Sequence, residues 1–233
     1  MIRIHSTKKL FAKLPLDEAG LLPTPKKSAG LFNASIPQHT NPLGSWHGNL
    51  LTLQRRNCIL LVHDETLFPL FIPCLTKPDF KSLQWHFEDV LMNTLLKAGA
   101  SHEHMESASQ LLQPLVFDTQ CNRSVQGTMN RMAGDIDHML YFDHADVQDL
   151  SPYRTGAWLA DRPCNVKRQK DCIWPQEAML ALLSKPSAKP SVKIQADNEP
   201  DKQQSLLETI DQKDQPENVV SLAGFKQNKK RDV

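Results

Sequence analysis

Apolar residues recur along the chain in two kinds of pattern, and the first of them predicts strands. Residues 46–73 hold three short apolar runs, which polar residues interrupt at 55–57 and at 64–65. Runs of this length joined by tight polar turns predict an antiparallel meander of three strands. At the beginning of the chain, residues 2–5 alternate between isoleucine and a polar side chain, which predicts a further short strand with one buried face.

The second pattern has the period of an α-helix and occurs in three segments. Residues 77–98 place apolar side chains at helical spacing, and Gly99 follows as a stop signal. Residues 102–113 repeat the pattern over a shorter length. The longest apolar stripe runs over residues 124–142, with Ser124 as the predicted N-cap.

These elements together predict an α+β fold in a single domain over residues 1–183. A small antiparallel sheet, built from the meander and the N-terminal strand, packs against the three helices. Residues 15–45 are rich in proline, glycine, serine and asparagine, which predicts a long loop. Residues 184–233 are polar and hold a single aromatic residue, so they bury too little apolar surface to offset their ordering entropy. We predict a disordered tail there, with a short linear motif at 219–231.

Composition limits the classes of function. The net charge of +1 argues against a protein that binds nucleic acid or membrane through a broadly basic surface. The five cysteines are widely spaced and form no C-x-x-C pair, which disfavours a disulfide scaffold and a cysteine zinc site. No apolar run reaches membrane-spanning length, and the N-terminus lacks a secretory signal. We therefore expect a cytoplasmic protein with reduced thiols, no membrane partner, no metal and no cofactor.

Separated motifs in this chain resemble those of a known family. The motifs are Trp46-His47-Gly48-Asn49-Leu50-Leu51, Arg55-Arg56-Asn57-Cys58 and Asn122-Arg123-Ser124 followed by Gly127 and Asn130. In this order they are similar to a widespread bacterial domain of unknown function, whose small stand-alone members share a tryptophan-led hairpin and an Asn-Arg-Ser helix start. The resemblance covers about residues 1–142 and brings no catalytic assignment with it.

The start of the longest predicted helix is the leading candidate for a ligand site. The first turn of a helix has unpaired N–H groups and a partial positive charge, which together bind anions. Asn122, Arg123, Ser124, Gly127 and Asn130 lie there, and a guanidinium suits a phosphate or a carboxylate. A glycine in this turn lets a ligand or another backbone approach closely. The same residues also fit a plain cap, in which Ser124 only caps, Arg123 pairs with an acid and Gly127 packs against a strand.

The predicted hairpin is a second candidate site. Arg55 and Arg56 lie at its tip, and Trp46 and His47 lie near its open end. Arginines beside an aromatic surface can stack on and hold a strand of nucleic acid. The alternative is a solvated turn, and the predicted distance between the tip and Trp46 weakens a shared site.

Histidine and acid chemistry is the third candidate, at His63, Asp64 and Glu65 or at His102 and His104, and Cys58 and Cys121 are candidate nucleophiles. His63 ends a predicted strand, where its side chain could face a cleft and exchange protons near neutral pH. Cys121 precedes the helix start, where a thiolate would be stabilised. Surface histidines and an inert buried thiol are the alternatives. No metal-binding spacing such as H-E-x-x-H occurs.

We therefore expect a cytoplasmic binding module whose site lies at residues 122–130 and whose ligand is a phosphate, a carboxylate or a nucleic acid. One alternative is a hydrolase or nuclease that uses His63 or His47 with Arg123. Another is an interaction protein that recruits a protein partner through residues 219–231.

Overall fold

The elements of the fold alternate between strands and helices along the chain. The computed structural model describes residues 1–23, 41–165 and 172–184. The strands are β1 (Ile2–Ser6), β2 (Ser45–Leu53), β3 (Arg56–His63), β4 (Pro69–Leu75) and β5 (Leu115–Asp118). The helices are α1 (Lys8–Phe11), α2 (Leu83–Lys97), α3 (His102–Leu111), α4 (Arg123–Phe142), α5 (Pro152–Ala160) and α6 (Pro175–Ser184). A 3-10 turn at Asp79–Ser82 precedes α2.

Within these residues the strands form one sheet in the order β4-β3-β2-β1-β5. The predicted antiparallel meander is confirmed as β2, β3 and β4. Gln54 and Arg55 join β2 to β3 and both have positive φ angles, of 45° and 65°, as a two-residue turn that matches the twist of the strands requires.

The N-terminal strand joins this sheet in a way that the sequence does not predict. β1 runs parallel to both β2 and β5, so the sheet is mixed and not wholly antiparallel. Parallel neighbours need a long connection that returns the chain to the same end of the sheet. The stretch predicted as a loop at 15–45 lies in that connection, and the structure describes only its two ends.

Helices cover both faces of the sheet, and the fold is α+β. One face of the sheet carries Trp46 and packs with α2, α3 and α6. The opposite face carries Leu60 and Val62 and packs with the apolar stripe of α4. α4 covers β2 and β3, whereas the same side of β1 and β5 keeps partly exposed side chains.

The helices correct one prediction and add one element. Asn122, not Ser124, is the N-cap of α4: its side-chain oxygen accepts the Ser124 N–H at 2.8 Å, and its backbone is extended while that of Ser124 is helical. α5 lies in the stretch after residue 142, for which the apolar pattern described above predicts no element. It is short, and Ser151 caps it with a proline at its first position. Ser184, the first residue of the predicted tail, is the last residue of α6, and the rest of the tail with its 219–231 motif lies outside the described residues.

Candidate functional site

Polar side chains gather on the α4 side of the sheet, where β1, β5 and the beginning of β2 meet. Their residues are Arg3, His5, Ser45, His47, Asp64 and Asp118, which we call the polar face. Side chains two apart in a strand point to the same side, so the alternation in β1 places Arg3 and His5 together. The register pairs His5 with His47 on one side and with Asp118 on the other.

His47 connects this face to the start of α4. Its Nε2 accepts the backbone N–H of Asn122 at 2.5 Å, and its Nδ1 lies 2.5 Å from a carboxylate oxygen of Asp64. Because a backbone N–H can only donate, Nδ1 must carry the proton and donate it to Asp64. His47 is therefore a fixed, neutral linker. Its side chain is 1% exposed, and neither nitrogen is left for a ligand.

Asp64 is held in place as an anion. Burial raises the pKa of its carboxyl group, whereas hydrogen bonds from His47 and Ser45 lower it, and the net pKa lies below the usual range. The Ser45 hydroxyl donates to the second carboxylate oxygen at 2.5 Å. Asp64 is thus ionised at neutral pH, and the orientation of its carboxylate group is fixed.

His5 is the histidine of the polar face that has an open nitrogen. Its Nδ1 lies 2.7 Å from a carboxylate oxygen of Asp118, and its ring centroid lies 5.1 Å from that of His47. Among the described residues, no group forms a hydrogen bond with its Nε2. The side chain is 15% exposed, so His5 can reach a ligand on this face.

A cavity of about 470 Å³ adjoins the polar face at the end of the sheet where β1 and β2 begin. Arg3, Ser45, Asp64 and Glu65 give it a lining with both charges. The cavity does not include Arg123 in its lining. It reaches the start of α4 only through the linked pair of Asp64 and His47.

His63 also borders this cavity, but its ring is engaged by the protein. Its Nε2 donates to the Pro42 carbonyl at 3.0 Å, and its Nδ1 accepts from Thr66, whose hydroxyl lies 2.9 Å away. Burial lowers the pKa of His63 from 6.5 to about 4. A neutral ring with both nitrogens bonded stabilises the loop after β3 and is poorly suited to move a ligand's proton.

The predicted residues at the start of α4 are exposed. Arg123, Ser124, Gly127 and Asn130 all face solvent, and no carboxylate of the described residues lies within ion-pair distance of Arg123. A Cβ on Gly127 would meet nothing within 4 Å, so this glycine packs against no strand. The space beside the first two turns of α4 is therefore open to a ligand.

The hairpin does not bring its predicted residues together. Trp46 is fully buried, its Nε1 donates to the Leu43 carbonyl at 2.8 Å, and it cannot serve as a stacking surface. Arg55 is exposed at the tip, and Arg56 donates to the Gln148 side chain at 3.1 Å. Trp46 lies near the other end of β2 (Ser45–Leu53), about 25 Å from this tip at the usual rise of a strand.

Cys121 has the character of an unreactive thiol. Burial raises its pKa, a hydrogen bond with Gln126 lowers it, and the charges of Asp118 and Asp64 raise it further. Its Sγ donates to the His5 carbonyl at 3.5 Å and makes no bond with a histidine ring among the described residues. These features do not favour a nucleophile.

The local sequence patterns single out Asp64 beside His63, but they do not indicate His5, Asp118, Ser45 or Arg3 as site residues. The alternation at the N-terminus was a usable signal, because it places Arg3 and His5 on the half-exposed face of a strand. The partner of His5 was not predictable from any local pattern, since Asp118 lies 113 positions further along the chain.

Other site chemistries find no support in the part of the chain that the structure describes. Its histidines, cysteines and carboxylates nowhere form a group of three that could hold a metal ion. None of its helices is long and apolar enough to cross a membrane.

Comparison with known proteins gives a family and no activity. A family model described as a domain of unknown function, DUF6933, matches residues 3–178. No curated protein and no solved structure matches the chain. The matched range includes the polar face, the start of α4 and every residue of the sheet except Ile2, and it spans well over half of the sequence. The protein therefore belongs to the DUF6933 family of domains of unknown function.

Proposed function

We propose that this protein is a binding module for a small anionic ligand, a phosphate or a carboxylate, that lies between the start of α4 and the polar face. One observation carries the proposal. His47 fixes the first turn of α4, with its exposed Arg123, to a polar face that has an open cavity beside it.

Two arginines supply the positive charge for such a ligand. Arg123 stands at the first position of α4, where N–H groups and the helix dipole add to its attraction for an anion. The Arg3 guanidinium is 3.8 Å from Asp118 and half-exposed, and ion pairs of this kind contribute little. Arg3 can therefore turn from Asp118 to a ligand at small cost. A phosphate of a nucleic acid would use the same groups.

We also propose that the protein works in the cytoplasm of a bacterial cell, as the resemblance of its motifs implies. Its five cysteines all lie in described segments and are free thiols there, which suits a reducing compartment. The shared tryptophan-led hairpin and the Asn122 to Asn130 segment are proposed as common to the family.

Substitution of Arg123 should weaken anion binding. We expect isothermal titration of the full chain with inorganic phosphate and with acetate to give saturable binding. Arg123→Ala should lower the affinity about tenfold or more, because it removes charge-assisted hydrogen bonds. The matched control is Arg131→Ala, which removes an exposed arginine two turns along the same helix. Equal binding by wild type and Arg123→Ala, or equal losses in both variants, would contradict the proposal.

A hydrolase or nuclease is the second candidate, and we propose His5 as its base in place of His63 or His47. The observation that favours it is the His5 ring, which Asp118 orients while its Nε2 stays open. A base held in this way could take a proton from water that attacks an ester bound near Arg123. The third candidate is recruitment of a protein partner through residues 219–231. These residues lie outside the described part of the chain.

The hydrolase candidate predicts a phosphodiesterase activity that depends on His5. Wild-type protein should hydrolyse bis(p-nitrophenyl) phosphate, and His5→Ala should lower the rate about 100-fold, the usual contribution of a general base. His102→Ala, at an exposed position, should keep the wild-type rate. An inactive wild type, or the same rate in all three proteins, would reject this candidate.

A further inference from the structure

The cavity beside the polar face is bordered by charges of opposite sign. Arg3 pairs with Ser45 in the sheet register, and the Asp64 N–H donates to the Ser45 carbonyl at 3.1 Å from the other side. Two strand spacings therefore separate the Cα atoms of Arg3 and Asp64, which is about 10 Å. Within the described residues, no hydrogen bond or ion pair joins their side chains. The cavity thus has a cationic side and an anionic side.

The anionic side is rigid. Ser45 and His47 each donate one hydrogen bond at 2.5 Å to the Asp64 carboxylate, which fixes its orientation. A carboxylate oxygen can accept a second hydrogen bond, so both oxygens of Asp64 keep capacity for a donor from a ligand. Glu65 follows in the turn after β3 and is exposed at the rim of the cavity. A primary ammonium group, with three donors and one positive charge, suits this side.

The cationic side is adaptable. The Arg3 side chain is 49% exposed and lies at the outer limit of ion-pair distance from Asp118, 3.8 Å. A guanidinium forms paired, parallel hydrogen bonds with a carboxylate, and that geometry is stronger than a distant pair. A carboxylate in the cavity would therefore compete well with Asp118 for Arg3.

We infer that the ligand of this cavity is a small zwitterion, a free α-amino acid or a dipeptide, with its carboxylate at Arg3 and its ammonium at Asp64 and Glu65. This inference rests on the proposed anion-binding function through Arg3, which both sites share, and it names the ligand of the cavity, whose lining does not include Arg123. A cavity of about 470 Å³ has room for such a molecule. Val116 and Pro42 give it an apolar part that can contact a small side chain.

A ligand with one charge leaves half of this lining unsatisfied. A simple anion at Arg3 would stand near the carboxylates of Asp64 and Glu65, and a simple cation near them would face the Arg3 guanidinium. Each such ligand is repelled by the side of the cavity that has its own charge, and the charged groups of that side gain no partner from the ligand. A zwitterion pairs with both sides at once, so it should discriminate against each of its charged halves.

The test compares zwitterions with their charged halves on the full-length protein. Isothermal titration is run with glycine, L-alanine and alanyl-alanine, and with acetate and ethylammonium as the single-charge probes. We expect at least one zwitterion to bind about tenfold or more tightly than either single-charge probe. Tighter binding of glycine or L-alanine would identify the ligand as a free amino acid, and tighter binding of alanyl-alanine would identify it as a dipeptide.

Variants at the rim locate the binding. Glu65→Gln should weaken zwitterion binding and leave acetate binding unchanged or stronger, whereas Arg3→Gln should weaken both. Glu103→Gln and Arg131→Gln, at exposed positions on α3 and α4, are the matched controls and should bind as wild type does. Circular dichroism of each variant checks that it is folded. The Arg3 side chain is 49% exposed and Glu65 is exposed, so substitution of either residue should not disturb the core.

Each outcome of this test has one meaning. If acetate binds as tightly as every zwitterion, the zwitterion inference is wrong and the anion-binding function stands. If no probe binds at millimolar concentration, the inference is overturned, and failure of phosphate in the earlier titration would reject the proposed function as well. Zwitterion binding that survives both Glu65→Gln and Arg3→Gln would place the ligand elsewhere and overturn the inference.

Discussion

Acidification from pH 7 to pH 4 should lower the free energy of unfolding by about 3 kcal/mol through His63 alone. Burial lowers the pKa of this histidine from 6.5 to about 4 in the folded protein. Below pH 6.5 the unfolded chain therefore takes up a proton that the folded state excludes. The contribution of His63 to stability is fully present above pH 6.5, falls across this window, and is lost once the pH has passed about 4.

The measurement is urea unfolding at a series of pH values for wild type and His63→Gln. A glutamine can donate to the Pro42 carbonyl and accept from Thr66 without titrating, so the variant should show a shallower loss of stability toward low pH. Carboxylates such as Asp64, whose lowered pKa also makes the folded state weaker in acid, contribute equally to both proteins and cancel in the comparison. His102→Gln, at an exposed position, should follow the wild-type curve. Parallel curves for wild type and His63→Gln would show that this prediction is wrong.

Much of the fold follows from local patterns in the sequence. The meander and the helices α2, α3 and α4 are confirmed, because each has a strong period and a recognisable start or turn. The position of β1 between β2 and β5 is not readable in the same way. Its alternation predicts a strand and a buried face, but the choice of neighbours depends on contacts between distant parts of the chain.

The candidate site was predictable only in part for the same reason. The helix start at Asn122 and Arg123 is a local signal, and it remains the anchor of the proposed function. His47 was predicted as a ligand group, whereas the structure uses both of its nitrogens to join Asp64 to Asn122. That role requires three segments to meet, which no local pattern specifies. The polar face forms because β1 lies between β2 and β5, and its residues are brought together by the parallel pairing of β1 with both strands.

The tryptophan-led motif shows how a packing requirement can resemble a binding motif. Gly48 has no room for a side chain, because a Cβ there would lie 2.9 Å from a methyl carbon of Leu10 and 3.0 Å from one of Leu61. Trp46 lies two positions earlier in the same strand and packs edge-on against Phe87 and His63. A large aromatic residue and a nearby glycine are the expected pattern where a helix lies close to a sheet.

Substitution of Trp46 should therefore affect stability and leave the ligand site intact. Trp46→Ala should lower the free energy of unfolding by about 3–5 kcal/mol, since it empties a fully buried site and leaves the Leu43 carbonyl without its donor. For a domain of this size that loss corresponds to a fall in melting temperature of about 10 °C. Trp85→Ala, at a position that is 60% exposed, is the matched control and should change stability by less than about 0.5 kcal/mol.

If the alanine variant does not fold, Trp46→Phe distinguishes a role of Trp46 in packing from a role in ligand binding. It keeps an aromatic ring against Phe87 and loses the indole N–H, so it should be less stable than wild type and still folded. We expect its affinity for phosphate and for glycine to equal that of wild type, because the ring lies on the face of the sheet opposite to the polar face. A stacking role would have the reverse signature, in which affinity falls and stability does not. Loss of ligand affinity in a stable, folded Trp46→Phe protein would restore the hairpin as a binding surface and contradict the role in packing that we assign to it.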